Sequence, residues 1–362
     1  MRGDVTTVAV EHPSRWQSRV RAEVAVVVRD FVGDRCREYL ETPETAVLGR
    51  VITDFACGGK YLRSAFQVAG WLTAQAECPA AIRAAGSVEL LHCFALIQDD
   101  VMDQSPRRRG APAAHVTFAE WHGRQGLSGS SQRFGESAAV LASDLCLVWA
   151  EQLLRESGVA AQPLARALRR YDLLRSELAV GQFRDVVNEA RRRPTLPDVL
   201  AVARAKSGNY TVRRPLELGA ELAGAAPTVL TALGRYGSAI GEAFQLRDDL
   251  LGVFGDPGET GKPIGDDIRA RKATAVLVLA RDHADGAARR ELRRLDTATD
   301  LDDAAVARYA QIVEESGTRQ RAERLIEQRV DEGIDALAAV DIPARADEIL
   351  VHLARSCTDR AH

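Results

Sequence analysis

The chain has 362 residues, of which 46% are hydrophobic and 27% charged. Its 48 basic and 51 acidic side chains give a formal net charge of -3, which argues against a nucleic-acid partner, because such proteins carry a broadly positive surface. No signal-peptide pattern opens the chain, and no run approaches the about 18 apolar residues of a membrane helix. We therefore expect a cytoplasmic protein without a membrane span.

The predicted elements are helices along the whole chain. Residues 1–18 have the composition of a polar leader, and the apolar spacing from Val20 to Leu40 predicts the first helix. Runs of alternating β-branched and aromatic residues are missing, whereas Ala, Leu, Arg and Glu dominate. Glycine and proline clusters separate roughly ten helical stretches, and 123–135 is glycine- and serine-rich enough for a mobile surface loop. We predict one all-α domain over residues 19–362.

The first polar cluster lies at Cys57–Arg63, CGGKYLR. Two glycines let the backbone approach a ligand, and the first turn of the following helix offers unpaired N–H groups to an anion. Lys60 and Arg63 are three residues apart and share that face. The cluster suits a diphosphate, although a glycine turn with two solvated cations is the alternative interpretation.

The second cluster ends the apolar run Leu90–Ile97, which predicts a core helix. Asp99 and Asp103 point the same way at 3.6 residues per turn, and crowded carboxylates need a neutralising partner. A divalent cation fits, because Mg²⁺ takes one or two carboxylates and fills its remaining positions with water and phosphate oxygens. The arginines at 107–109 could hold the phosphates, and His92 lies roughly 10 Å deeper on the same face. A solvated helix end with a core histidine is the alternative.

A third cluster follows the helical run Ile240–Leu246, where Asp248 and Asp249 again form an acidic pair. The glycine-rich stretch after it carries further charged side chains: Lys262, Asp266, Asp267 and, beyond them, Lys272. Two helices that each end in aspartates, with lysines close by, suit a phosphate-rich substrate held by several magnesium ions.

Taken together and in this order, these motifs resemble those of the trans-isoprenyl diphosphate synthases. The matching segments are Gly58–Arg63 (GGKxxR), Asp99–Asp103 (the first aspartate-rich motif), Arg108–Gly110 (RRG), Gly181-Gln182, Lys206-Ser207, Phe244-Gln245 with Asp248-Asp249, and Gly261-Lys262. The resemblance covers nearly everything from about residue 20 onward. It implies an all-α bundle of about ten or more helices around a deep central cavity, usually as a homodimer.

The resemblance also implies a role for each matched residue. Asp99 and Asp103 would bind two Mg²⁺ ions and Asp248 a third, with Asp100 and Asp249 in support. The allylic diphosphate would contact Arg108, Lys206, Lys262 and Lys272, with Gln182, Ser207 and Gln245 lining the site. Isopentenyl diphosphate would contact Lys60, Arg63, His92 and Arg109. The expected catalytic set is Asp99, Asp103, Asp248, Lys206 and Lys262. Gly252 stands where the family's second motif often has its last aspartate, so that position cannot ligate metal.

Two residues that precede the first aspartate-rich motif bear on the length of the prenyl product. Phe94 is at the fifth position before it and Ala95 at the fourth, a pattern that resembles the geranylgeranyl type and predicts a C20 product. Farnesyl and longer products are the nearest alternatives. A class I terpene cyclase fits less well, because it lacks paired cationic sites for a second diphosphate. An inactive synthase subunit also fits less well, because such partners tend to lose aspartates.

Overall fold

A computed structural model of the chain describes residues 11–190, 195–255, 265–298 and 300–359. These residues are helical almost throughout, which confirms the predicted all-α class, and their one sheet pairs β1 (Arg107–Arg108) with β2 (Ala111–Pro112). The helices up to the midpoint are α1 (Pro13–Tyr39), α2 (Ala46–Ala56), α3 (Leu62–Leu72), α4 (Pro79–Met102), α5 (Ala114–Arg124), α6 (Ser131–Arg155) and α7 (Ala161–Ala190).

The second half begins with one continuous helical run: α8 (Leu196–Val202), a π-helix (Ala203–Arg213) and α9 (Arg214–Leu222). The remaining helices are α10 (Pro227–Phe254), α11 (Asp266–Arg269), α12 (Ala275–His283), α13 (Gly286–Thr297), α14 (Asp303–Glu315), α15 (Thr318–Ala338) and α16 (Ala344–Thr358). The described residues thus form more helices than the roughly ten stretches that glycine and proline separate in the sequence.

The first helix starts inside the predicted leader. Pro13 is its first residue, and Nδ1 of His12 accepts a hydrogen bond from the backbone N–H of Ser14 at 3.3 Å. Proline suits a first helical position because it has no N–H to leave unpaired. Trp16 is already buried against the core. The predicted leader boundary at residue 18 is therefore wrong from Pro13 onward, and residues 1–10 lie outside the described residues.

The predicted loop at 123–135 is also shorter than expected. The helix α6 begins at Ser131, where the side chain of Ser130 accepts from the backbone N–H of Arg133, so only 125–130 connect it to α5. A Cβ atom at Gly135 would lie 2.2 Å from the carbonyl oxygen of His115. Gly135 is thus a close-packing residue between α5 and α6, whereas composition alone made it a loop residue.

Among the described residues, the core consists of two apolar clusters. The larger is built mainly from α1–α4, α6, α7 and α9, and the smaller from α10 and α12–α15. Within the described residues, α4 and α6 are long and apolar enough to cross a membrane, contrary to our expectation from run length. However, 67% of the apolar window in α4 and 50% of that in α6 is buried. Because buried core helices pass the same test, these helices are weak evidence for a span.

A close contact places the π-helix against α10. A Cβ atom at Gly241 would lie 2.7 Å from the Cα and the carbonyl oxygen of Gly208, so the two backbones touch. A π-helix is wider than an α-helix and is often found at functional sites. Here it carries Lys206 and Tyr210, both of which reach residues of α4.

Candidate active site

The first acidic group lies at the C-terminal end of α4. Asp99 Oδ1 accepts hydrogen bonds from Lys206 Nζ at 2.8 Å and from Gln182 Nε2 at 3.2 Å. Burial alone would raise the pKa of Asp99, but Lys206, Lys272 and Arg108 together outweigh burial, so that pKa is lowered. Asp99 is therefore ionised at neutral pH and available to a cation.

The same lysine reaches a second carboxylate that the sequence analysis did not assign. Lys206 Nζ donates to Asp185 on α7 at 2.6 Å. Burial opposes the charged ammonium, yet Asp99 and Asp185 together raise the pKa of Lys206. Asp185 lies three residues after Gln182, which also contacts Asp99, so helical spacing was the signal that could have identified it.

Arg108 is held by Asp100 rather than by solvent. Its Nε donates to Asp100 Oδ1 at 2.8 Å, its Nη2 contacts the same oxygen, and Nη2 also lies 3.5 Å from Asp99 Oδ2. Asp100 is fully buried, and burial raises its pKa despite the neighbouring guanidinium. The paired aspartates thus divide their contacts: Asp99 meets Lys206 and Gln182, whereas Asp100 fixes the position of Arg108.

The second acidic group lies on α10, where Asp249 is enclosed. Its Oδ2 accepts from the backbone N–H of Ala275 at 2.9 Å, and its Oδ1 accepts from Gln245 Nε2 at 2.7 Å. Burial raises the pKa of Asp249 to about 7. The preceding residue, Asp248, is half-buried. Gln245, predicted to contact substrate, uses its amide nitrogen to support Asp249.

The segment after α11 joins the two acidic groups. Lys272 Nζ donates to Asp103 Oδ2 at 3.3 Å, and three residues later the Ala275 N–H contacts Asp249. Burial lowers the pKa of Lys272, but Asp103 and then Asp267 raise it, and the net change is upward. Residues 272–275 therefore connect the acidic end of α4 to the aspartates of α10, which lie more than one turn before that helix ends at Phe254. Lys262, predicted for this site, lies outside the described residues.

The glycine pair Gly58-Gly59 is explained by an arginine from the β1–β2 turn. Arg109 Nη1 donates to the carbonyl oxygens of Phe55, at 3.1 Å, and of Gly58. A Cβ atom at Gly58 would lie 2.6 Å from Nη1, and one at Gly59 would lie 2.8 Å from Nη2. Gly59 also has φ of +127°, which side chains rarely adopt. The structure therefore brings Arg109 onto the turn that carries Lys60.

Beside this turn, Arg63 and His92 share a tyrosine that the sequence analysis missed. The Arg63 guanidinium lies 4.5 Å from the ring centre of Tyr210 and donates to Thr211 Oγ1 at 3.0 Å. The Tyr210 hydroxyl is 3.4 Å from His92 Nδ1. Burial lowers the pKa of His92 well below its ordinary value, and Arg63 lowers it further, so the imidazole is neutral at pH 7.

Three remaining predicted residues have simpler surroundings. Ser207 is half-buried and follows Lys206 on the π-helix, and Phe94 and Ala95 are partly buried on α4, where they pack against the larger apolar cluster. Phe94 and Ala95 therefore lie on the helix that carries Asp99, between its acidic end and the core.

The potential metal ligands of this site fit magnesium. All are carboxylate oxygens, the hard ligands that Mg²⁺ prefers. Among the described residues, no group of three or more His, Cys, Asp or Glu side chains is close enough to hold a metal ion. An ion here would therefore complete its shell with water and substrate phosphate oxygens, as Mg²⁺ usually does.

A model of the polyprenyl synthetase family matches residues 45–315. The chain belongs to this family. The polyprenyl synthetase is 36% identical to a (2E,6E)-farnesyl diphosphate synthase of Mycobacterium tuberculosis over 308 residues, which are 83% of this chain and 80% of that protein. It is 33% identical to a geranylgeranyl diphosphate synthase of the same species over 280 residues, 77% of this chain and 75% of the relative.

Among solved structures, it is similar to a geranylgeranyl pyrophosphate synthase from Corynebacterium glutamicum complexed with isoprenyl diphosphate and magnesium. The TM-score is 0.90 at 35% identity, covering 95% of this chain and 99% of that one. The predicted family is thus confirmed, and the chain is a prenyltransferase of the polyprenyl synthetase type. The two relatives are named for products of different length. Family membership therefore leaves the length of this enzyme's prenyl product open.

Proposed function

We propose that this polyprenyl synthetase condenses isopentenyl diphosphate with an allylic diphosphate, head to tail and in the trans geometry, to give geranylgeranyl diphosphate. The observation that carries the proposal is the presence of two separate cationic groups beside one acidic centre. Lys206, Lys272 and Arg108 surround the aspartates of α4, whereas Arg63 and Arg109 lie at the Gly58-Gly59 turn. Two groups suit two diphosphates.

The first group would hold the allylic diphosphate. Asp99 and Asp103 would take two Mg²⁺ ions and Asp248 a third, and the ions would neutralise negative charge on the departing diphosphate. Lys206, Lys272 and Arg108 are positioned to donate to the same oxygens, where charge grows as the allylic carbon loses its leaving group. Gln182 and Asp185 keep Asp99 and Lys206 in place. By resemblance, Lys262 would join this group.

The second group would hold isopentenyl diphosphate through Lys60, Arg63 and Arg109. His92 would add a hydrogen bond without charge, because its imidazole is neutral. Because its pKa is lowered, His92 is a weak base, so we assign removal of the final proton to the released diphosphate. Apolar residues of α3 and α4, which belong to the larger apolar cluster, would keep water away from the allylic cation.

A C20 product is the finer part of the proposal. Ala95 leaves room one turn below Asp99, and Phe94 is the one aromatic residue beside it. A product of C15 is the alternative, since a relative with 36% identity is named a farnesyl diphosphate synthase.

The test is to incubate the protein with isopentenyl diphosphate, each allylic primer and Mg²⁺, and to measure product mass. We expect geranylgeranyl diphosphate, and no product after Mg²⁺ is chelated. The variant D99A/D103A should lose turnover while circular dichroism shows unchanged helix content. Turnover in that variant would contradict the metal assignment. Farnesyl diphosphate as the end product would contradict the C20 assignment alone.

We further propose that the protein is a homodimer joined through α6 and α7. These helices are linked by the ion pair of Arg175 with Glu151 at 2.6 Å. Four large apolar side chains are exposed on them by 50% or more: Leu141, Val148, Val180 and Phe183. The spacing of seven within the first pair gives one stripe along α6, which suits the same stripe on a second copy. Sedimentation should show a dimer for the native chain and a monomer for L141D/V148D.

A further inference from the structure

Gly252 occupies a position that another residue fills from a different helix. On α10, residue 252 follows Asp248 by one helical turn and shares its face. A Cβ atom at Gly252 would lie 1.9 Å from Asp267 Oδ2 and 2.5 Å from its Cγ. The carboxylate of Asp267 therefore takes the space into which a side chain at 252 would project.

Asp267 has little freedom to leave this position. It belongs to the short helix α11, which packs on α10, and only 8% of its surface is exposed. Its carbonyl oxygen accepts from the backbone N–H of Lys272 at 2.9 Å, and its own Cβ would be 3.2 Å from a Cβ at Gly252. With backbone and side chain both confined, only glycine at 252 is compatible with Asp267 as it stands.

The carboxylate of Asp267 also lies within electrostatic reach of both acidic groups. Its negative charge helps to raise the pKa of Lys272, and it also helps to raise the pKa of Asp249. Lys272 in turn contacts Asp103. Asp267 thus belongs to the same charge cluster as the residues proposed to hold the diphosphate.

We propose that Asp267 supplies the third carboxylate of the second acidic group, reaching from α11 into the place that Gly252 leaves open. In this role it is a positioning residue: it holds Lys272 towards Asp103 and adds its negative charge to that of the α10 aspartates, which attract magnesium diphosphate. Gly252 and Asp267 then form one unit, in which the carboxylate comes from α11 and the glycine of α10 makes room for it. The inference rests on the proposed function of this site.

The test exchanges the two residues. D267G should weaken the site by removing the carboxylate, and G252D should weaken it by forcing two carboxylates into one space. G252D/D267G returns one carboxylate to the same volume from α10. Its matched control, G252N/D267G, places an uncharged side chain of the same shape there.

Two measurements distinguish a role of Asp267 in positioning the site from a role in folding. The first is kcat/KM, which should fall about 10- to 100-fold in both single variants, as expected when a supporting group of a metal site is lost. The second is the rise in unfolding temperature produced by Mg²⁺ with inorganic diphosphate. In the exchange variant G252D/D267G, we expect kcat/KM to be at least tenfold higher than in the single variants. We also expect at least half of the lost rise in unfolding temperature to return. Neither recovery should occur in the uncharged control.

The inference is overturned if D267G matches the native chain in both readouts, or if the exchange variant and its control behave alike. Should circular dichroism show that the exchange variant is unfolded, D267N decides: a normal response to magnesium diphosphate in that folded, isosteric variant also overturns it. A native chain that makes no prenyl product would instead contradict the proposed function.

Discussion

Replacing Lys206 with methionine removes the one charge shared by Asp99 and Asp185. Both hydrogen bonds of its ammonium are shorter than 3 Å, at 2.8 and 2.6 Å, so the two carboxylate oxygens lie within about 6 Å of each other. At an effective dielectric constant of about 20, two unit charges at that separation repel by about 3 kcal/mol. The side chains are 18% and 26% exposed, so solvent screens part of this repulsion.

We therefore expect K206M to lower the free energy of unfolding by about 1–3 kcal/mol in the absence of Mg²⁺. Because Mg²⁺ neutralises the same carboxylates, it should stabilise the variant more than the native chain. Turnover should nevertheless fall about 10²- to 10³-fold, since one donor to the leaving group is gone. K206R keeps the charge and serves as the control, with most of the metal-free stability retained.

Urea unfolding with and without Mg²⁺ measures the first two effects, and steady-state kinetics measures the third. The reasoning is refuted if K206M without Mg²⁺ is as stable as the native chain, or if its kcat stays within tenfold. Equal stabilisation of both proteins by Mg²⁺ would show that Lys206 does not compete with the cation for Asp99.

Other parts of the site allow sharper single measurements. A95F should shorten the product to C15 by filling the space one turn below Asp99, as product mass will show; an unchanged product would remove Ala95 from chain-length control. R109A should raise KM for isopentenyl diphosphate at least tenfold while KM for the allylic primer changes less, and equal changes would contradict separate diphosphate sites. The pKa of Asp249 is about 7 in the folded chain against an ordinary 3.8, so the folded state keeps a proton that the unfolded state releases. The free energy of unfolding without Mg²⁺ should therefore fall from pH 4 to 7 by up to about 4 kcal/mol, and D249N should flatten that slope.

The sequence was sufficient for the helices and for the polar residues that stand in motifs. Asp99 and Asp103 were selected because they end an apolar helical run, and Lys272 because it follows the second acidic pair, whereas Lys206 was selected only through the family resemblance. The structure brings these four together. Element boundaries were less accurate, since His12 extends α1 and Gly135 lies inside a helix for reasons of local contact.

What the sequence could not supply were pairings between distant helices. No motif distinguished Asp185 or Tyr210 in the sequence, and only the fold places Asp185 against Lys206 and Tyr210 against His92. From the sequence, Gly252 looked like the loss of a metal ligand. The sequence could not show that Asp267 fills the same space, because the packing of α11 on α10 brings it there. Such contacts depend on how helices cross, which local residue patterns do not determine.

The contact of Arg109 with the carbonyl oxygens of Phe55 and Gly58 has a consequence for the order of events. These hydrogen bonds join two chain segments through protein atoms alone, so the side of the site that Arg109 shapes is preorganised. On the other side, Lys206 contacts Asp99 and Lys272 contacts Asp103, and ions and phosphate would have to replace those contacts. Catalytic commitment is therefore expected to depend on rearrangement around Lys206 and Lys272, while the Arg109 side remains a rigid receptor throughout the cycle.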